Sequence, residues 1–223
     1  MPGWGDLRGT VADWEQFPGR ERLDATEGNA RRVALSFDDG PDSDSTPAVL
    51  DALDQIDVRA TFFVVGEQLE RHWKIAKDAL ARGHELALHG YSHPHHGELV
   101  PQAARDEVAR GVGAFEAAVG HRPVLMRPPY GRFNEHSYGA CRTLGLEPVY
   151  WSAWGMDWEP LPAERITELT LRDVAAGAII VLHDSPRYAE RPTALPTAEA
   201  LPAIAERVKE LGLRLGPIGA GAG

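Results

Sequence analysis

The 223-residue sequence holds one cysteine, Cys141, so no intrachain disulfide can form. The thiol falls in an expected helix, where a small buried apolar residue is its ordinary role. No stretch approaches the ~18–20 apolar residues of a membrane span. Cations are in deficit, 23 Lys and Arg against 33 Asp and Glu, for a net charge of -10. That balance argues against a general binder of nucleic acid or anionic membrane. The opening residues, MPGWGDLRGTVADWEQFPGR, lack a basic segment followed by an apolar core. The expectation is a cytoplasmic protein, or a secreted one if a leader has been removed. No Gly-x-Gly-x-x-Gly loop, tandem repeat or low-complexity tract is present.

What remains is ordinary globular composition, 43% hydrophobic and 25% charged, enough for one sizeable core. Residues 1–31 mix Gly, Pro, Trp and charge without a period. They read as a lead-in packed on the main domain, 32–223, with Trp14 to Phe17 capping one end. Strand-like runs are expected at 33–37, 60–65, 85–89, 124–126, 147–152 and 178–183, and a short apolar run at 213–215 ends the series. Helical patterns at 46–55, 67–82, 99–119, 135–144, 163–176 and 197–211 separate them. Such βα alternation predicts a parallel sheet with helices outside. Polar clusters recur after several different strands, which favours a distorted (β/α) barrel of about seven parallel strands with outer helices. The Pro-rich stretch 186–196 reads as an ordered flap over one barrel face.

Five clusters carry chemistry. The run Val33–Phe37 breaks into Asp38-Asp39-Gly40-Pro41, leaving two carboxylates side by side at a strand end. Adjacent like charges repel, so keeping both ionised calls for a cation. After the third strand come His89 and His93, four residues apart, with His95 and His96 as outer or exposed neighbours. Two imidazoles and one of the two aspartates make a set suited to Zn²⁺ or a similar divalent ion, with open positions for water and substrate. The third cluster is Arg127-Pro128-Pro129-Tyr130-Gly131. Arg127 can hold a carboxylate, and Tyr130 can offer its backbone N–H or its ring. The fourth, 151–158 (WSAWGMDW), is rich in indole, whose faces suit sugar C–H surfaces; core packing is preferred for Trp151. The fifth is the apolar run Ile179–Leu182 ending in His183 and Asp184, which places a titrating histidine at the site mouth.

In this order the clusters resemble the motifs of the polysaccharide deacetylases of carbohydrate esterase family four. Ser36–Pro41 (SFDDGP) is similar to that family's TFDDGP, His89–His93 to H-[ST]-x-x-H, and Arg127–Tyr130 to R-x-P-Y. Asp157-Trp158 is similar to the end of D-x-x-D-W, and Leu182-His183 to L-x-H. The resemblance spans about residues 32–185. It implies a catalytic domain over 32–223 that removes acetyl groups from N-acetylated sugars, with one divalent ion: zinc first, then cobalt, nickel or manganese. It further implies Asp39, His89 and His93 as metal ligands, Asp38 as general base toward water, and Arg127 as its orienting partner. It implies Tyr130 as an oxyanion donor through its backbone N–H, His183 as general acid tuned by Asp157, and Trp158 and Leu182 as walls of the acetyl pocket. Two positions depart from the pattern. Gly90 replaces a Ser or Thr, and Trp154 replaces the first Asp of D-x-x-D-W, pointing Arg127 to a different partner.

The expected substrate is an N-acetylated oligosaccharide or amino-sugar conjugate, short or soluble, met by a monomer or small homo-oligomer. Three features motivate this: no recognisable leader, no second domain to anchor an insoluble surface, and the bulk of Trp154 at the cleft, with a face for one ring. The alternatives are a same-fold amidohydrolase acting on a non-sugar amide or cyclic imide and a non-catalytic glycan-binding module.

Overall fold

Strand β1 (Arg32–Asp38) is the centre of the sheet, and all its residues after Arg32 are buried. The structure is a computed structural model that describes residues 13–24 and 30–219. β1 pairs in parallel with β2 (Thr61–Val64), with β7 (Ile179–His183) and, through its first half, with β8 (Arg214–Gly216). The continuous apolar run suits a strand covered on both faces, as parallel strands are. β3 (Glu85–Leu88), β4 (Leu125–Met126), β5 (Glu147–Pro148) and β6 (Ala153–Trp154) complete the sheet. Their order is β5-β4-β3-β2-β1-β7-β6, with β8 off this path. Six helices lie between the strands among the described residues: α1 (Ser45–Gln55), α2 (Gly66–Ala81), α3 (Pro101–Val119), α4 (Glu135–Thr143), α5 (Ala163–Arg172) and α6 (Leu195–Glu210). The result is the expected curled, distorted (β/α) barrel. Register aligns the strand ends: Asp38 stands opposite His183 on β7 and Phe63 on β2. The polar residues that end the strands therefore meet at one mouth.

Two elements differ from the sequence expectation. The single strand expected at 147–152 is two short ones, β5 and β6, at opposite ends of the sheet. Between them Tyr150 and Trp151 are buried against Trp14, stacked at 4.4 Å and edge-on at 5.1 Å. The lead-in also takes the hydrogen bonds that a neighbouring strand would take. Arg20 N–H donates to the Pro148 carbonyl at 2.8 Å, Tyr150 N–H donates to the Arg20 carbonyl at 2.7 Å, and Leu23 N–H donates to Gly177 at 2.8 Å. The lead-in residues 1–12 and 25–29 lie outside the described residues. The second difference is α5, which stops at Arg172, four residues early. There the chain turns so that Gly177 N–H can reach the Arg32 carbonyl at 2.8 Å, at the start of β1.

Candidate active site

The mouth is built from strand ends that turn sharply. Three of the five described non-glycine residues with positive φ belong to it: Asp39 at 81°, His93 at 62° and Tyr130 at 57°. Such backbone persists only where its surroundings impose it, and it gathers at functional sites. Gly40 must be glycine, because a Cβ there would lie 2.1 Å from Asp184 Oδ2.

Asp39 follows β1, and His89 and His93 follow β3. Asp39 Oδ1 lies 3.1 Å from His93 Nε2 and 3.5 Å from His89 Nε2. One donor atom from each of the three residues falls within 4.8 Å of the others, and all three side chains are buried. His89 Nδ1 faces the Arg127 carbonyl at 2.8 Å. The carbonyl can only accept, so Nδ1 donates to it, and Nε2 is the ring nitrogen turned toward Asp39. Asp39 Oδ1 is buried and receives no hydrogen bond. Burial alone would raise the Asp39 pKa, but His93 and His89 outweigh it and hold the carboxyl well below its usual range. Burial lowers the His93 pKa, and Asp39 offsets only part of that. A buried carboxylate facing two imidazole nitrogens is the kind of donor set that a divalent ion takes, so these residues fit a metal.

Asp38 sits beside the triad with a separate partner. Arg127, fully buried, donates from Nη1 to Asp38 Oδ1 at 2.6 Å and to Ser36 Oγ at 3.0 Å. Its Nη2 donates to the Tyr150 carbonyl at 3.0 Å, and the guanidinium lies 4.0 Å over the Phe63 ring. These contacts position Asp38 without using an acid at position 154, where the side chain is the partly buried Trp154. Asp38 Oδ2 is 3.8 Å from His89 Nε2, so a carboxylate oxygen faces the triad.

Across the mouth, β7 delivers His183. Its Nδ1 is 2.8 Å from Asp157 Oδ1, and its backbone N–H donates to Asp157 Oδ2 at 2.8 Å. Asp157 is fully buried and also accepts from Thr197 Oγ1 at 2.7 Å. Burial opposes charge on His183, yet Asp157, with Asp39 and Asp38 beyond it, raises its pKa to about 9. The Asp157 carboxyl is held low by His183 and Arg191 against the effect of burial. Trp158 stands edge-on to His183 at 5.7 Å, while Leu182 is fully buried and pairs with Phe37. Tyr130, half-exposed in a turn over Pro129–Gly131, stacks on His95 at 3.7 Å and meets His93 edge-on at 4.7 Å.

Sequence reasoning missed three residues here and gave a fourth, Asp184, no role of its own. Glu107 of α3 grips the backbone between His89 and His93. Its signal was faint: one acidic residue on the helix face that buries Ala104, Val108, Gly111 and Phe115. Arg191 is buried, donates to the His183 carbonyl at 2.8 Å, and lies 3.4 Å from Asp157. Tyr188 lies over the His93 ring at 4.0 Å, with 9° between the planes. Both come from the Pro-rich loop, and nothing local in the sequence marks them. Asp184 is fully buried, and burial raises its pKa to about 7 despite the Thr46 hydroxyl bonded at 2.6 Å.

Fold and donor set together define a distorted (β/α) barrel with a two-histidine, one-aspartate cluster, fit for a metal, at the strand ends. The polysaccharide deacetylase family matches residues 25–149, more than half of the chain, and the chain belongs to that family. A peptidoglycan-N-acetylglucosamine deacetylase of Bacillus cereus is 35% identical over 158 residues, covering 71% of this chain and 58% of the relative. The chain thus spans just over half the length of that relative. A chitooligosaccharide deacetylase of Bradyrhizobium is 37% identical over 155 residues, covering 69% of this chain and 71% of the relative. The crystal structure of the peptidoglycan N-acetylglucosamine deacetylase Bc1960 superposes with a TM-score of 0.83 at 29% identity, over 94% of this chain and 95% of that one.

Proposed function

We propose that this protein is a metal-dependent N-deacetylase that hydrolyses the acetamido group of an amino sugar within a glycan, an oligosaccharide or a sugar conjugate. One observation carries the reading. The Asp39–His89–His93 triad has a carboxylate held by a buried arginine on one side and a histidine held by a buried aspartate on the other. Residues 32–223 are the catalytic domain in this reading, and 1–31 the segment laid on it. The relatives named for peptidoglycan and chitooligosaccharide deacetylation support the substrate class.

Asp39, His89 and His93 would hold the ion, and mixed nitrogen and oxygen donors favour zinc, with cobalt, nickel or manganese as alternatives. Bound there, the ion supplies Lewis acidity to the acetyl carbonyl and acidifies water. Asp38 takes the proton from the attacking water, and Arg127 keeps its carboxylate aimed. The water oxygen bonds to the carbonyl carbon, and the Tyr130 N–H steadies the oxyanion. His183, protonated on account of Asp157, gives its proton to the amide nitrogen as the C–N bond breaks. Acetate and a free amine leave. Trp154 and Trp158 border the sugar, and Trp158 and Leu182 wall the acetyl group.

The test is acetate release from chitooligosaccharides, peptidoglycan fragments, free N-acetylhexosamines and insoluble chitin, with a cyclic imide alongside, using stripped and metal-reloaded protein. Metal-restored release from the soluble sugars is expected. Cleavage of the imide alone would move the chain to the non-sugar amidohydrolase reading, and faster release from insoluble polymer would overturn the preference for short substrates. Binding of sugars with no turnover under any metal would make it a glycan-binding module.

A further inference from the structure

Helix α3 sends one carboxylate to the loop that carries two of the three candidate metal ligands, and the chemistry proposed above does not use it. Glu107 is buried. Its Oε1 accepts the backbone N–H groups of Tyr91 and Ser92, both at 2.6 Å, and its Oε2 accepts the Ser92 hydroxyl at 2.9 Å. Successive amides that converge after a residue of positive φ, here Gly90 at 78°, form a concavity that holds an anion. The carbonyls of the same loop are taken from the other side. Gly66 N–H, at the start of α2, donates to the Gly90 carbonyl at 3.0 Å, and Glu67 N–H donates to the Tyr91 carbonyl at 2.9 Å. Position 90 is matched to this grip, since a Cβ there would stand 3.0 Å from Glu107 Oε1. The loop between His89 and His93 is therefore clamped between the first turn of α2 and one side chain of α3. It ends at His93, whose φ of 62° needs an imposed conformation.

The geometry points to Glu107 as a positioning residue of the metal centre. By fixing Tyr91 and Ser92, its carboxylate holds His93 Nε2 where it can share an ion with Asp39 and His89. The inference rests on the metal-centre reading, and it assigns Glu107 no contact with ion or substrate.

The experiment strips metal from wild type, Glu107→Ala, Glu107→Gln and Ser92→Ala. Each is titrated with Zn²⁺ against a chromophoric chelator, its Co²⁺ absorption spectrum is recorded, and its metal-free melting temperature is measured. Glu107→Ala should bind Zn²⁺ about ten-fold or more weakly, the scale of outer-shell changes at metal sites, with an altered Co²⁺ spectrum. Glu107→Gln, which keeps an acceptor at the same reach, should recover part of the affinity, and Ser92→Ala should lose least. A role confined to stability would lower the metal-free melting temperature while leaving Zn²⁺ affinity and the Co²⁺ spectrum unchanged, and that result overturns the inference. If Glu107→Ala does not fold, Glu107→Leu, which keeps the side-chain bulk without an acceptor, decides by the same readings: wild-type affinity with a wild-type spectrum overturns it. Wild type that fails to bind Zn²⁺ overturns the metal centre and this inference together, whereas metal binding without deacetylation overturns only the proposed reaction.

Discussion

Asp38 and Asp39 are adjacent in sequence and unlike in surroundings. Asp39 faces two imidazoles and receives no hydrogen bond on Oδ1, whereas Asp38 is bonded to a buried guanidinium. In the proposed reaction one carboxylate is left open for a cation and the other is held back for a proton. Asp38→Asn should therefore keep metal in elemental analysis yet lose at least about 10²-fold in kcat, the ordinary scale of a general base. His89→Ala should lose the metal itself, with circular dichroism confirming the fold. Near wild-type turnover in Asp38→Asn would contradict the assignment. His183 adds a pH test. A general acid must be protonated, so activity should fall as pH rises through its pKa of about 9. Removing the Asp157 charge leaves burial in control and lowers that pKa. The alkaline limb of kcat/KM should thus lie near pH 9 in wild type and move to lower pH in Asp157→Asn. A limb that stays in place would separate His183 from the proton transfer.

At the scale of elements, α3 shows how closely a helix approaches the site. A Cβ on Gly111 would lie 3.0 Å from both the carbonyl carbon and oxygen of Gly90, backbone atoms of the histidine loop. Two residues along, Gly113 has nothing within 4 Å of such a Cβ. The same substitution should have opposite signs at the two positions. Gly111→Ala pushes the helix off the loop and should cost about 1–3 kcal/mol, as overpacking does. Gly113→Ala relieves backbone entropy in a helix interior and should stabilise by about 0.5–1 kcal/mol. Urea midpoints of the two variants check both, and equal shifts would refute the close approach.

At the scale of the whole molecule, the barrel wall opens between β5 and β6 and the lead-in lies against the opening. Trp14 is buried there, and its Nε1–H donates to the Gly131 carbonyl at 2.8 Å, one residue from Tyr130. Trp14→Ala should cost about 3–5 kcal/mol, the range for a buried large aromatic, read by denaturant unfolding. A ligand that binds only the folded state adds stability by mass action, about 2.7 kcal/mol at a hundred times its Kd. Zn²⁺ should accordingly raise the melting temperature of stripped protein, and His93→Ala should show no such rise. An equal rise in both would place the ion elsewhere.

The βα alternation, the polar strand ends and most of the residues that gather there were legible in the amino-acid sequence. This follows because a candidate site assembled from strand ends is written in short local runs: Asp38-Asp39 at the end of β1, His89 and His93 in the loop after β3, His183 at the end of β7. Apolar periodicity and turn residues place those runs without knowledge of distant contacts. The break after Pro148 was not legible there, because β6 pairs with β7 while β5 pairs with β4, and the residues between them pack on Trp14 and Arg20 more than a hundred residues away. Nor were the parts played by Glu107, Arg191 and Tyr188. Their partners are backbone atoms, polar side chains and a ring brought close by the fold, and a single side chain on a helix or loop carries no local mark of such a contact.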